Sequence, residues 1–81
     1  MNIRAMMDKT LQVNNIKIRS YVILEGDVTC IISDLIIEKT FSKEDGIYKV
    51  LEIGKNVVKL EGISKQIFLI TSAENISLYT S

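Results

Sequence analysis

The stretch GIYKVLEIGKNVVKLEGI, residues 46–63, constrains the fold more than any other part of the chain. Two short apolar runs flank Gly54-Lys55-Asn56, a unit suited to a three-residue hairpin loop in which asparagine tolerates a left-handed backbone. Across residues 57–63 the alternation is clean, with Val58 and Leu60 on one face and Lys59 and Glu61 on the other. Residues 47–53 carry apolar side chains on both parities, as a strongly bent strand does. A chain built on such a hairpin is expected to be antiparallel β structure.

The rest of the chain agrees. Of its 81 residues, 27 are Ile, Leu or Val and 14 of those are Ile, a β-branched bias that favours strands. From Ile16 the period is two: Ile16, Ile18, Val22 and Leu24 share one face, and Lys17, Arg19 and Tyr21 share the other. Glu25-Gly26-Asp27 breaks this run. In VTCIISDLIIEKTF, Ile31, Leu35, Ile37 and Phe41 share a parity that Ser33 interrupts, which predicts one long strand bent near Ser33-Asp34. SKEDG reads as a turn. QIFLIT is a continuous apolar run suited to a strand buried on both sides. Thr71-Ser72-Ala73-Glu74 has a capping-box pattern for one helical turn. Ile76 and Leu78 then alternate with Ser77 and Tyr79 in a final short strand. At the start of the chain, Ile3, Met6, Met7 and Leu11 have helical spacing and predict a short N-terminal helix or arm over residues 1–15. No linker divides the chain, so a single domain spanning residues 1–81 is expected.

Strands at this spacing point to an all-β barrel of five to six strands. The order is a polar-tipped excursion, then Gly46-Ile47-Tyr48-Lys49-Val50, a tight turn, Val58-Lys59-Leu60-Glu61-Gly62, an apolar strand and a helical turn. Over residues 21–79 it resembles the small SH3-like barrel proteins of bacteriophages and prophages. The resemblance implies an SH3-like barrel and a phage- or mobile-element-encoded protein that acts on a host protein. Ile67 and Phe68 stand where that family usually has Trp or Tyr, and proline is missing from the turn. An aromatic groove for proline-rich ligands is therefore not expected.

Composition narrows the chemistry. There is no histidine, which removes the commonest general base and zinc ligand. The single cysteine, Cys30, lies in an apolar strand where a thiol is inert, and it can form no internal disulfide. The pairs Glu25/Asp27 and Glu44/Asp45 sit beside turn glycines and read as solvated loop chemistry. No enzymatic activity, metal or cofactor is expected. The start of the chain has no apolar core of a signal peptide, and no run is long enough for a membrane helix, so a cytoplasmic location is expected.

Two surfaces remain as binding candidates. The ten basic and ten acidic residues balance, yet they segregate along the chain. Lys17, Arg19 and Tyr21, with Lys49, Lys55 and Lys59 of the central hairpin, form a candidate surface for RNA or single-stranded DNA, where cations meet phosphates and an aromatic ring meets bases. The plainer account of these residues is the solvated outer face of amphipathic strands. The second candidate is apolar. Ile36 and Ile37 are adjacent, so one must point away from whichever face is buried, and Met6 and Met7 add adaptable side chains. The favoured reading is a non-enzymatic protein-binding module that docks on a host protein through Ile36, Ile37, Met6 and Met7. Neutral charge and surplus isoleucine also predict a homodimer.

Overall fold

The computed structural model describes residues 16–80. Their alternating pattern resolves into β1 (Tyr21–Leu24), β2 (Val28–Ile32), β3 (Ile37–Phe41), β4 (Tyr48–Ile53), β5 (Val57–Gly62), β6 (Phe68–Ser72) and β7 (Ile76–Leu78). All pair antiparallel in one 7-stranded sheet with the order β3-β2-β6-β5-β4-β1-β7. The expected SH3-like barrel of five to six strands is therefore wrong: the sheet is open, with β3 and β7 as its edges.

The departure has an identifiable origin. Residues 28–41 were expected to form one bent strand. Instead the chain reverses fully over residues 33–36, pairing Ile32 with Ile37 and Val28 with Phe41. That reversal adds β3 as the outermost strand, with β2 as its one neighbour among the described residues. The expected N-terminal helix over residues 1–15 lies outside the described residues. Among the described residues there is no α-helix, only two single 3-10 turns at Lys43–Asp45 and Ala73–Asn75.

One face of the sheet makes a single core. Val22, Leu24, Val28, Cys30, Phe41, Tyr48, Val50, Val58, Leu60, Leu69 and Ile76 are buried together, joined by Ile16 from the segment before β1. Every strand contributes, and among the described residues no second layer covers them, so the open sheet curls over its own inner face. Further bonds extend the ladders: Glu25 N–H donates to the Asn75 carbonyl at 2.9 Å, one step past the end of the β1–β7 pairing. The Thr71 hydroxyl donates to the Thr29 carbonyl at 3.3 Å and accepts from the Asn75 amide at 3.0 Å.

The central hairpin carries most of this core. Val58 and Leu60 point inward as their parity requires. In β4 the pairing register shifts between Val50 and Glu52, so Leu51 is the extra residue of a bulge. That bulge is why apolar residues fall on both parities: Tyr48 and Val50 face inward before it, and Ile53 packs on the core after it. The loop spans Gly54-Lys55-Asn56, closed by Gly54 N–H donating to the Val57 carbonyl at 2.7 Å. Asn56 is not left-handed, however. Gly54 serves close approach instead, since a Cβ there would meet Val57 Cγ2 at 3.0 Å.

Three parities were misread. Ile18 is exposed, because residues 17–20 form a turn before β1 rather than its first part. In β2 the buried residues are Val28 and Cys30, so Ile31 faces out. β6, expected to be buried on both sides, buries only Leu69 and Thr71 on one face, which puts Phe68 on the outer face rather than in the core.

Candidate functional site

The β2–β3 loop is closed by the Ile32 carbonyl, which accepts from Leu35 N–H at 3.1 Å and from Ile36 N–H at 2.7 Å. To rejoin the strand, the last loop residue takes a positive φ, and that residue is Ile36 at +53°. Glycine or asparagine normally fills such a position; a β-branched side chain there is a genuine outlier. The strain is not offset by burial. Ile36 is 82% exposed, Leu35 63% and Ile37 49%. Both isoleucines of the predicted apolar patch are therefore at the surface, and Leu35 joins them. Met6 and Met7, assigned to the same patch, lie outside the described residues. Asp34 and Glu38 flank the tip and are exposed. Beside it, between Asp34 and the β5–β6 connection, opens a cleft of about 640 Å³ lined also by Glu61, Ile63, Lys65 and Phe68.

The predicted basic surface splits in two. Tyr21 pairs with Lys49 across β1 and β4, and Lys49 pairs with Glu61 across β4 and β5. Arg19 is brought to the same place: its N–H donates to the Val50 carbonyl at 2.7 Å, and Val50 N–H donates to the Ser20 carbonyl at 2.9 Å. Lys17 belongs to the same turn, which Ser20 N–H closes onto the Lys17 carbonyl at 2.9 Å. Lys59 stands apart. It pairs with Glu52 and Ile70 on its two neighbours, and its ammonium lies 5.9 Å from the centre of the Phe68 ring. Lys55 sits in the β4–β5 loop. Lys17, Arg19, Tyr21 and Lys49 thus form one group, and Lys55 and Lys59 are not part of it.

Two exposed residues were missed. Leu35 was assigned a strand parity although it lies in the turn. Tyr79 could have been found, because the alternation of the last strand sets it on the outer face with Ser77. Its N–H donates to the Tyr21 carbonyl at 2.8 Å, which places the two tyrosines opposite each other on neighbouring strands.

The reactive side chains are held by the scaffold. Burial pushes the Cys30 thiol above its ordinary value, with a Thr71 hydrogen bond acting weakly the other way. Burial likewise pushes the Tyr48 phenol up to about 12, reinforced by the charges of Asp45 and Cys30. The Tyr48 hydroxyl is buried and bonds to no group among the described residues. Asp45 is held below the ordinary carboxylate range, first by the Ser42 backbone N–H at 2.6 Å and then by the Lys65 ammonium at 3.2 Å. Among the described residues no group of three or more His, Cys, Asp or Glu could hold a metal ion. Nor is any helix among them long and apolar enough to cross a membrane.

No protein family, curated protein or solved structure matches this chain.

Proposed function

We propose that this protein is a small non-catalytic module that docks on another protein through the tip of its β2–β3 hairpin. The observation that carries the reading is Ile36, a β-branched residue held at φ +53° and 82% exposed. Strain of this kind costs about 1 to 3 kcal/mol and clusters at functional sites. Leu35, Ile36 and Ile37 fill an apolar pocket on the partner, and Asp34 and Glu38 meet basic groups at its rim. On the same strand the Lys39 ammonium lies 5.7 Å from the centre of the Phe41 ring.

A second copy of the chain is the weaker occupant. A two-fold antiparallel pairing of β3 edges centred on Glu38 or Lys39 sets like charges opposite each other, which disfavours those two registers.

The test compares wild type with Ile36→Asn as baits in nuclease-treated cell lysate, followed by titration of the purified partner. The expected outcome is a protein retained by wild type and lost by Ile36→Asn, although the variant is at least as stable. Equal retention by both baits removes the tip as the docking element. Sedimentation of the isolated chain as a dimer that Ile36→Asn dissolves would make the second copy the occupant.

A further inference from the structure

Away from the tip, the outer face of the sheet carries a row set by strand register. Phe68, Glu61, Lys49 and Tyr21 follow one another across β6, β5, β4 and β1, and Tyr79 continues the row beside β7. Tyr21 is 50% exposed and Tyr79 42%, on neighbouring strands, so two aromatic faces lie side by side at the surface. Tyr21 meets Lys49 on its other flank. The turn that delivers Lys17 and Arg19 is fixed to β4 at the next position, and all of its cations are exposed.

Backbone strain marks this place as it marks the tip. Among the described residues two non-glycine positions have positive φ, Ile36 and Arg19, the latter at +77°. At Arg19 that conformation is what lets both Arg19 N–H and Ser20 C=O bond to Val50. The result is a guanidinium-bearing turn seated next to the tyrosine pair. Glu61 is the acidic residue of the row, and it faces Lys49 from the side away from Tyr21. Along the Arg19–Tyr21–Tyr79 side the charge is positive.

We propose that Tyr21 and Tyr79, with Lys17, Arg19 and Lys49, form a binding platform for single-stranded nucleic acid. Unpaired bases stack on the two phenol rings, and the three cations take successive phosphates. The chemistry requires unpaired bases, because a duplex hides the π-faces that the tyrosines would cover. It requires no net positive charge on the whole protein, only a local cluster within a screening length. This site is separate from the β2–β3 tip, so either can fail without the other.

The chain supplies its own reporter. It has three tyrosines and no tryptophan, and Tyr48 is buried, so solvent-accessible tyrosine emission comes from Tyr21 and Tyr79. The experiment titrates the whole protein with oligouridylate and oligodeoxythymidylate of about ten nucleotides, within the site sizes typical of single-strand binders. Emission should be quenched saturably, and log affinity should fall with log salt at a slope of about −2 for three phosphate contacts. Tyr21→Ala and Tyr79→Ala should each weaken binding about tenfold, in line with one lost stacking contact. Lys49→Gln should shallow the salt slope by about 0.7. Lys55→Gln, in the remote loop, should change nothing. Unquenched emission overturns the proposal and needs no variant to be folded. So does equal binding of a duplex of the same length, or binding that survives both Tyr79→Ala and Lys49→Gln.

Discussion

Two hairpins of this protein are built from the same kinds of residue and end in opposite ways. The β4–β5 hairpin puts Tyr48, Val50, Val58 and Leu60 into the core, and sheet strands flank it on both sides. Its loop puts Gly54 where a Cβ would crowd the Val57 side chain. The β2–β3 hairpin buries Val28, Cys30 and Phe41 near its base, and from residue 34 to residue 40 every side chain is exposed. Its loop puts isoleucine where glycine or asparagine would be easier. The difference separates a structural hairpin from one whose outer half does nothing for the core. A sequence selected for stability alone has no reason to keep Ile36 in a left-handed conformation.

The strongest challenge to this contrast is a pair of truncations. Leu60→Ala should cost about 2 to 5 kcal/mol, as for a fully buried leucine. Ile37→Ala, on the outer hairpin, should cost less than about 1 kcal/mol in chemical denaturation. Comparable losses at both positions would erase the distinction.

Alkaline titration probes the central hairpin again. The Tyr48 pKa is raised in the folded protein to about 12 from an ordinary 10.0. The unfolded chain therefore loses its phenolic proton first. The contribution is complete below pH 10 and drains away as pH rises toward 12, by about 2 to 3 kcal/mol. Tyr48→Phe should flatten that decline. It should also leave stability at neutral pH unchanged or higher, since the hydroxyl bonds to no group among the described residues.

Ile36→Asn has the opposite sign. Relieving a left-handed isoleucine should raise stability by about 1 kcal/mol, read as a higher melting temperature. A loss of stability would mean that Ile36 is held in place by packing, and the contrast between the hairpins would collapse.

The smallest effect lies at the joint between the hairpins, where Asp45 after β3 holds Lys65 in the β5–β6 connection. Because the folded pKa of Asp45 is lowered, its contribution is present above the ordinary carboxylate pKa and is lost as pH falls through the folded value. Asp45→Asn should therefore lower stability slightly at neutral pH, and the difference from wild type should vanish as pH falls through the folded value, read by denaturation at the two pH values.

The sequence was legible where local pattern and tertiary burial agree. Val58 and Leu60 alternate with charged residues, and the alternation is what the core uses. The turns at Gly26, at residues 42–46 and at Gly54-Lys55-Asn56 were marked by polar and glycine residues. Legibility failed at residues 33–36, because Leu35 and Ile36 carry no turn chemistry and read as more strand. A four-residue reversal hidden inside apolar sequence changed a bent barrel strand into an extra edge. Phe68 failed for a related reason. In a run such as Ile67-Phe68-Leu69-Ile70, size suggests the core, yet parity decides, and parity is set by Leu69 and Thr71. Among the candidate sites, the adjacency of Ile36 and Ile37 required only one of them to face out; both are exposed, because Ile36 lies in the turn. The grouping of Arg19 with Lys49 depends on strand order, which no local pattern encodes.

The missing seam between β3 and β7 also sets how the molecule opens. In a closed barrel every strand is laddered on both sides; here β3 has β2 alone, and β2 meets β6 at Ile31↔Ile70 and Ile32↔Leu69. Residues 28–41 are therefore placed to detach as one cooperative unit at a free energy below that of global unfolding. Their amide protons should exchange sooner than those of Val50, Val58 and Leu60. A partner that grips the apolar tip would then act at a distance. Slowed exchange would run the length of β2 and β3, because holding the end of a hairpin that opens as a unit holds all of it shut.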